Sequence, residues 1–496
     1  MSDSQKDHST EKPIEALHLE KGDDVSSVSS KANEGRTPQE EERDWSPEEE
    51  RALVKKLDFR VFPMLCIVFG LSLLDRTNIS TAYIAGLSED LDLAVGSRYS
   101  IALLVFFVGY VIFELPSTWV IRRLGAQLWL SFLIISWGLI VLCTGFVHSW
   151  KTLTVCRALL GVFEAGLFPG AVYIIGSWYQ QYETARRVSL FYMASLLASG
   201  FGPILAYALS LIRVGNGDFR RGWRWIFIIE GIFTVVAGLV APFFLVEFPE
   251  RAKWLTPRQK HIASARLVTD KKAREYVHPT LKESMKMLLD WKLMIYSLQY
   301  FVCASSVYSL AYFKPIILRQ GMGFSYAMSQ VLASPPYVFA IIMSLMMAWV
   351  SDKYRTRWTV LCAQSLTAIV GLLIVLYAEV PGVRYFGLYL AVFGTQANVP
   401  GTLSYGQSNT ADVRKKGIVA ATMISVGGAG GICGSTIFKS SDAPKYLPGM
   451  WATIAMQLTY SVSTFGLSMY LKRQNKLADE GKRPALENVE GFRYAP

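Results

Sequence analysis

Apolar residues gather in runs of roughly twenty along most of this chain, each ended by a short polar or charged stretch. A hydrocarbon layer about 30 Å thick takes about twenty helical residues to cross, so each run predicts a membrane-spanning helix. The runs lie near 60–85, 98–121, 127–147, 153–176, 188–212 and 223–247, and then near 292–315, 326–350, 358–379, 383–405, 418–438 and 450–471. The expected fold class is an all-α membrane protein of twelve transmembrane helices. A polar segment, 248–290, divides six runs from six, and residues 1–58 and 473–496 read as cytosolic tails.

Composition agrees with the pattern. Of 496 residues, 52% are hydrophobic and only 18% charged, whereas soluble domains carry about 25% charged residues. The net charge of +11 would fit a nucleic-acid binder, but the basic residues sit in short clusters between apolar runs, as topology signals do. The expected partner is therefore the lipid bilayer and not nucleic acid. Arg122–Arg123, Arg186–Arg187, the 248–290 segment, Lys353, Arg355, Arg357 and Arg414–Lys415–Lys416 share a side with both tails. By the positive-inside tendency that side is cytosolic. The first 58 residues, rich in Ser, Glu, Asp and Lys, cannot bury enough surface to fold. The six cysteines all lie in apolar runs without CxxC spacing, which reads as buried thiols with no metal site.

The halves repeat. "RRLGAQ" after the second run matches "DKYRTR" after the eighth at an offset of 230, and "ETARR" after the fourth matches "DVRKK" after the tenth at 229. Near-equal offsets point to a duplicated six-helix unit. Two such halves, with a long loop between them, resemble the major facilitator superfamily. "SDKYRTR" (Ser351–Arg357) is similar to that superfamily's cytosolic loop motif, an acid followed by spaced basic residues. The first copy departs from it, because Arg122 stands at the acidic position. The resemblance implies a cytosolic gate at Arg122, Arg123, Glu183, Arg187, Asp352, Arg355 and Arg357.

Four further stretches, "LDRTNIS" (Leu74–Ser80), "RALLGVFEAGLFPG" (Arg157–Gly170), "GWRWIFIIEG" (Gly222–Gly231) and "FPERAKWLT" (Phe248–Thr256), resemble the fungal anion:cation symporter group. This is the allantoate permease-like branch, whose members carry nicotinate, pantothenate, biotin or allantoate. The resemblance implies uptake of a small organic anion with protons, by a cofactor-free monomer in the plasma membrane. By the same resemblance Asp75 and Glu164 carry the proton, and Arg76 and Arg157 hold the anion or gate the acids.

Each charge at mid-membrane costs about 2.5–3.5 kcal/mol on insertion scales. One reading of Asp75, Arg76, Arg157 and Glu164 is a structural ion-pair set locking the first span to the fourth. The other, favoured because apolar residues would pack as well, is a proton relay coupled to anion binding. Neighbours on a helix point about 100° apart, so Asp75 is expected to face Arg157 while Arg76 is freed toward a central cavity.

Weaker candidates follow. Lys314, in "SLAYFKPIIL", either snorkels to the interface or meets a substrate carboxylate. Gln299, Tyr308 and Tyr312, with Gln396 and Asn398 in "GTQANVPG", can supply orienting hydrogen bonds, or simply bond a neighbouring helix. Glu114 and Glu230 read as pairing groups. The rival functions are a proton-antiport exporter of a metabolite and a non-transporting nutrient sensor. The exporter's span-five motif is incomplete, with Ala206 and Tyr207 where paired glycines belong. No hydrolase or zinc-protease motif is present, so an enzyme is not expected.

Overall fold

The computed structural model describes residues 44–212, 214, 221–249, 252, 254–272, 287–354, 356–411, 413–439, 442–482, 486–489 and 491–496. Two compact units divide the chain, one ending at Ala52 and one running Leu53–Pro496. In the first, Ser46 Oγ accepts from the Glu49 amide while Glu49 Oε2 accepts from the Ser46 amide. This reciprocal cap starts helix α1 at Pro47. The tail expected to reach residue 58 is therefore helical in its last part.

The helices are α1 (Pro47–Ala82), a short α2 (Ser88–Asp90), α3 (Arg98–Leu124), α4 (Ala126–Thr144), α5 (Trp150–Glu164), α6 (Leu167–Trp178), α7 (Gln181–Ser210) and α8 (Gly222–Phe244). Next come α9 (Pro257–Lys272), α10 (Trp291–Ile316), α11 (Tyr326–Leu332), α12 (Pro335–Tyr354), α13 (Arg357–Tyr377), α14 (Pro381–Ser408), α15 (Val413–Ile437) and α16 (Leu447–Asp479). Every expected run meets a helix, with α5 and α6 sharing one run and α11 and α12 another. Among the described residues, nine helical stretches are long and apolar enough to cross a membrane.

The two halves pack alike. In the first, α4 lies along α8 and α3 along α5; in the second, α13 lies along α16 and α12 along α14. The halves meet through α3 with α15 and through α7 with α12, again an equivalent pair. At the α3–α5 crossing, a Cβ on Gly161 would stand 2.0 Å from the Phe106 carbonyl oxygen, so only glycine allows this approach. The outer faces are apolar: Phe59, Phe243 and Trp349 are 75, 74 and 61% exposed. Apolar exposure on this scale is what hydrocarbon covers.

The last residues pack back on the second half. Leu486 and Tyr494 join a core with Leu293, Tyr405 and Leu471. Lys415 donates to Asp290 at 2.5 Å and to Glu487 at 3.1 Å, and Lys292 donates to Glu487 and to the Tyr494 hydroxyl. Asn409 and Ala495 exchange a pair of hydrogen bonds, as do Asn475 and Tyr494. The expected tail at 473–496 is thus a docked segment, because two lysines at helix starts need its carboxylate.

Candidate functional site

A cavity of about 120 Å³ opens between the halves, lined by side chains from eight helices. On α1 its wall is Phe69, Leu73, Arg76 and Thr77, spaced as one helical face. On α10 the same spacing gives Tyr300, Ala304, Val307, Tyr308 and Ala311. Phe107, Tyr110, Phe168, Tyr192 and Tyr337 make the rest of the wall aromatic, and Gln396 adds an amide. Arg76 is the charged residue among the described lining.

Arg76 is buried, and each of its three guanidinium nitrogens donates a hydrogen bond. Its Nε donates to Glu164 Oε1 at 3.0 Å, Nη2 donates to the same oxygen, and Nη1 donates to the Tyr308 hydroxyl at 2.8 Å. The guanidinium carbon lies 4.9 and 5.0 Å from the ring centres of Phe106 and Tyr110, so aromatic faces complete its surroundings. Ser72, one turn before Arg76, donates to Glu164 Oε1 as well. Glu164 Oε2 is buried with no hydrogen-bond partner.

Asp75 points elsewhere, as the spacing requires. Its Oδ2 accepts from Trp137 Nε1 at 3.2 Å and from Thr234 Oγ1 at 2.9 Å, on α4 and α8. Arg157 does not pair with it. The guanidinium instead donates from Nη1 to the Arg76 carbonyl at 3.3 Å, while Nε and Nη2 have no partner. This corrects two expectations: Asp75 does not salt-bridge Arg157, and Arg76 is not free but occupied by Glu164. The reason is reach, since the indole and hydroxyl on α4 and α8 meet Asp75 first and Glu164 lies on Arg76's side of α1.

Of the remaining candidates, Tyr308 and Gln396 line the cavity, and Gln396 accepts from Tyr192 at 3.2 Å across the two halves. Tyr312, Lys314 and Asn398 do not line it. Tyr312 is buried and stacks on Tyr308, and Asn398 is buried with neither amide atom bonded. Lys314 is 1% exposed, so it does not snorkel to an interface. Gln299 bonds Thr464 at 3.2 Å within the second half, the structural alternative.

At the end of the bundle that carries the terminal segments, Arg187 grips Asp58 of α1 with bonds of 2.7 and 2.9 Å and stacks on Tyr179. Glu183 accepts from Arg266 of α9 at 2.8 Å. Arg123 lies on the Trp119 ring, and Arg357 donates to the Ser404 carbonyl at 3.0 Å and to the Ser404 and Ser408 hydroxyls. Asp352 is exposed and makes no ion pair among the described residues. The Arg122 side chain and Arg355 lie outside the described residues. All bonds named here stay within one half.

Hydrogen bonds that join the halves, among the described residues, lie at the cavity or toward the opposite end. They are Arg76–Tyr308, Tyr192–Gln396, Gln330–Thr81, Tyr326–Ser210 and Ser100–Phe438. Among the described residues, none of these bonds between the halves lies at the terminal end.

Residues 65–435 match the Major Facilitator Superfamily. The chain belongs to that superfamily. It is a multi-pass membrane protein with 33% identity over 458 residues to the MFS transporter prlL of Fungal sp. (strain NRRL 50135), covering 90% of this chain and 92% of the relative. It is 31% identical to the MFS-type transporter cnsO of Penicillium expansum, over 86% of this chain and 84% of that one. Among solved structures, a bacterial homolog of the human lysosomal transporter Spinster, inward-facing and unoccupied, superposes with a TM-score of 0.60 at 15% identity. That match covers 86% of this chain and 96% of the other. The helical bundle is thus a major facilitator fold.

Sequence reasoning missed Ser72, Trp137, Thr234, Asp58 and Arg266. Ser72 had a signal, since it precedes Arg76 by one helical turn. The others are distant in sequence and reach their partners only through helix packing.

Proposed function

We propose that this superfamily member is a proton-coupled importer of a small organic anion, of the allantoate permease-like kind, working by alternating access. The observation that carries the reading is the occupied state of Arg76. Its guanidinium is the positive charge at the cavity wall, and Glu164 already holds it. An incoming carboxylate competes with Glu164 for that charge. With Glu164 ionised, Arg76 is neutralised internally and attracts an anion weakly. A proton on Glu164 frees the guanidinium, so proton and anion load together. When the anion leaves, Arg76 returns to Glu164 and the proton is expelled. Asp75 is the second acid, and Arg157 ties its helix to the carbonyl of Arg76.

The remaining parts follow the same reading. Twelve helices cross the plasma membrane, both termini are cytosolic, and one chain suffices. With the terminal end inside, the bonds between halves close the external side, so this conformation opens inward. The gate residues Glu183 and Arg187 clamp the first half on the cytosolic side without bridging to the second. Aromatic walls beside the Arg76 guanidinium suit an organic anion with a planar apolar body.

Purified protein in proteoliposomes, given an inward proton gradient and a panel of radiolabelled carboxylates, tests this. Accumulation of a carboxylate that collapses when the gradient is dissipated is the expected result. Gradient-driven loss of preloaded anion would favour the exporter, and no movement of any solute would favour the sensor.

A further inference from the structure

Resting on that reading of the cavity, we infer that the transported anion carries two acidic groups, and that Lys314 receives the second one behind a lid formed by Tyr337. The residues of α10 that line the cavity, Ala304, Val307, Tyr308 and Ala311, recur every three or four positions. The next position on that face is Lys314. By that spacing its ammonium comes just past the cavity wall, and its burial keeps it from a lipid interface. It is 1% exposed, and its Nζ has neither a hydrogen-bond partner nor a carboxylate within salt-bridge reach among the described residues. What it does touch is the Tyr337 ring, whose centre is 3.5 Å from Nζ.

Tyr337 is itself part of the cavity wall. The residue that covers the lysine thus also borders the ligand space. It also stands on the seam between halves: a Cβ on Gly200 of α7 would lie 3.1 Å from the Tyr337 Cβ. When α7 and α12 part, as rocking of the halves requires, that contact opens and the ring is free to swing off Lys314. The nearby Ser334 hydroxyl, one turn earlier, is buried without a partner and offers a further donor.

Charge accounting points the same way. Arg76 has Glu164, and Arg157 donates to the Arg76 carbonyl, but the Lys314 ammonium has neither an acid nor a hydrogen-bond acceptor among the described residues. An unmatched ammonium inside a membrane is among the costliest groups to keep. A second anionic group on the substrate supplies the missing countercharge. The spacing sets the ligand's length, because Lys314 follows Tyr308, which holds Arg76, by six residues, about 9 Å of helix rise. The ligand class is thus an elongated dicarboxylate whose spacer packs on the aromatic walls.

Binding of matched acids to purified full-length protein tests the assignment, with benzoate against terephthalate and 2-naphthoate against 2,6-naphthalenedicarboxylate as probes. Wild type should bind at least one dicarboxylate about tenfold or more tighter than its monocarboxylate partner. Lys314→Met should bring that ratio to within about twofold of unity and leave monocarboxylate affinity within about twofold. The methionine replaces an unpaired buried charge with an apolar chain of similar shape, so folding should not suffer; Lys314→Gln is a second neutral variant. Tyr337→Phe, which keeps the lid, should preserve the ratio. Equal binding of both members by wild type, or a ratio that survives loss of the lysine, overturns the inference. If only monocarboxylates bind, the dicarboxylate inference fails while the organic-anion reading stands. If none of the four acids binds, both fall.

Discussion

Glu164 Oε1 takes hydrogen bonds from Ser72 and twice from Arg76, while Glu164 Oε2 is buried with none. One oxygen of this carboxylate is an anchor, and on the proposed reading the other is the seat for the coupled proton. Glu164→Gln keeps an acceptor for Arg76 but has no proton to release. Uphill accumulation should fall to equilibration, a loss of about tenfold or more, while anion exchange at equal concentrations persists. Proton-driven accumulation at the wild-type level would remove Glu164 from the coupling.

Two substitutions of Asp75 distinguish the proposed coupling role from a purely structural one. An asparagine in its place retains an oxygen for the Trp137 and Thr234 donors, so Asp75→Asn should fold normally and weaken dependence on the proton gradient. Asp75→Ala strands both donors in the interior and should cost about 1–3 kcal/mol of stability. Thermal unfolding of the two variants in detergent, beside their transport at two pH values, makes the comparison. Equal destabilisation by both would make the carboxylate a structural group only.

Arg157 touches the Arg76 carbonyl and not the cavity wall. Arg157→Lys shortens the donor's reach and removes the planar fork. Transport rate should drop about tenfold while anion affinity moves less than about threefold. A large rise in the dissociation constant with an unchanged rate would instead make Arg157 a ligand.

The docked C-terminal segment should show in the acid limb of stability. Burial tends to raise the carboxyls of Asp290 and Glu487, but bonds from Lys415 and Lys292 outweigh it and hold both below their ordinary range. A carboxylate lowered in the folded state stabilises it above the unfolded value and loses that contribution as pH falls through the folded one. The unfolding temperature should therefore hold from about pH 7.5 to about pH 5 and decline below about pH 4. Glu487→Gln should be less stable by about 1–3 kcal/mol at neutral pH and decline less in acid. Superimposable profiles for variant and wild type would show that this clasp contributes nothing.

The length and order of the helices could be read from the chain alone, because twenty apolar residues in a row have few other places to go and polar loops must punctuate them. The duplicated architecture was visible in paired loop motifs, and the packing of α4 on α8 and of α13 on α16 repeats it. That Asp75 and Arg76 would point apart also followed from helical spacing. Their partners did not. Trp137 and Thr234 lie 62 and 159 positions from Asp75, and Glu164 lies 88 from Arg76. Only the crossing of α1 with α4, α5 and α8 decides which donor arrives first. Lys314 shows the same limit: its position on α10 was legible, but its burial against Tyr337 depends on how the two halves meet. Local spacing sets the direction of a side chain, and the contact between distant helices sets what it meets there.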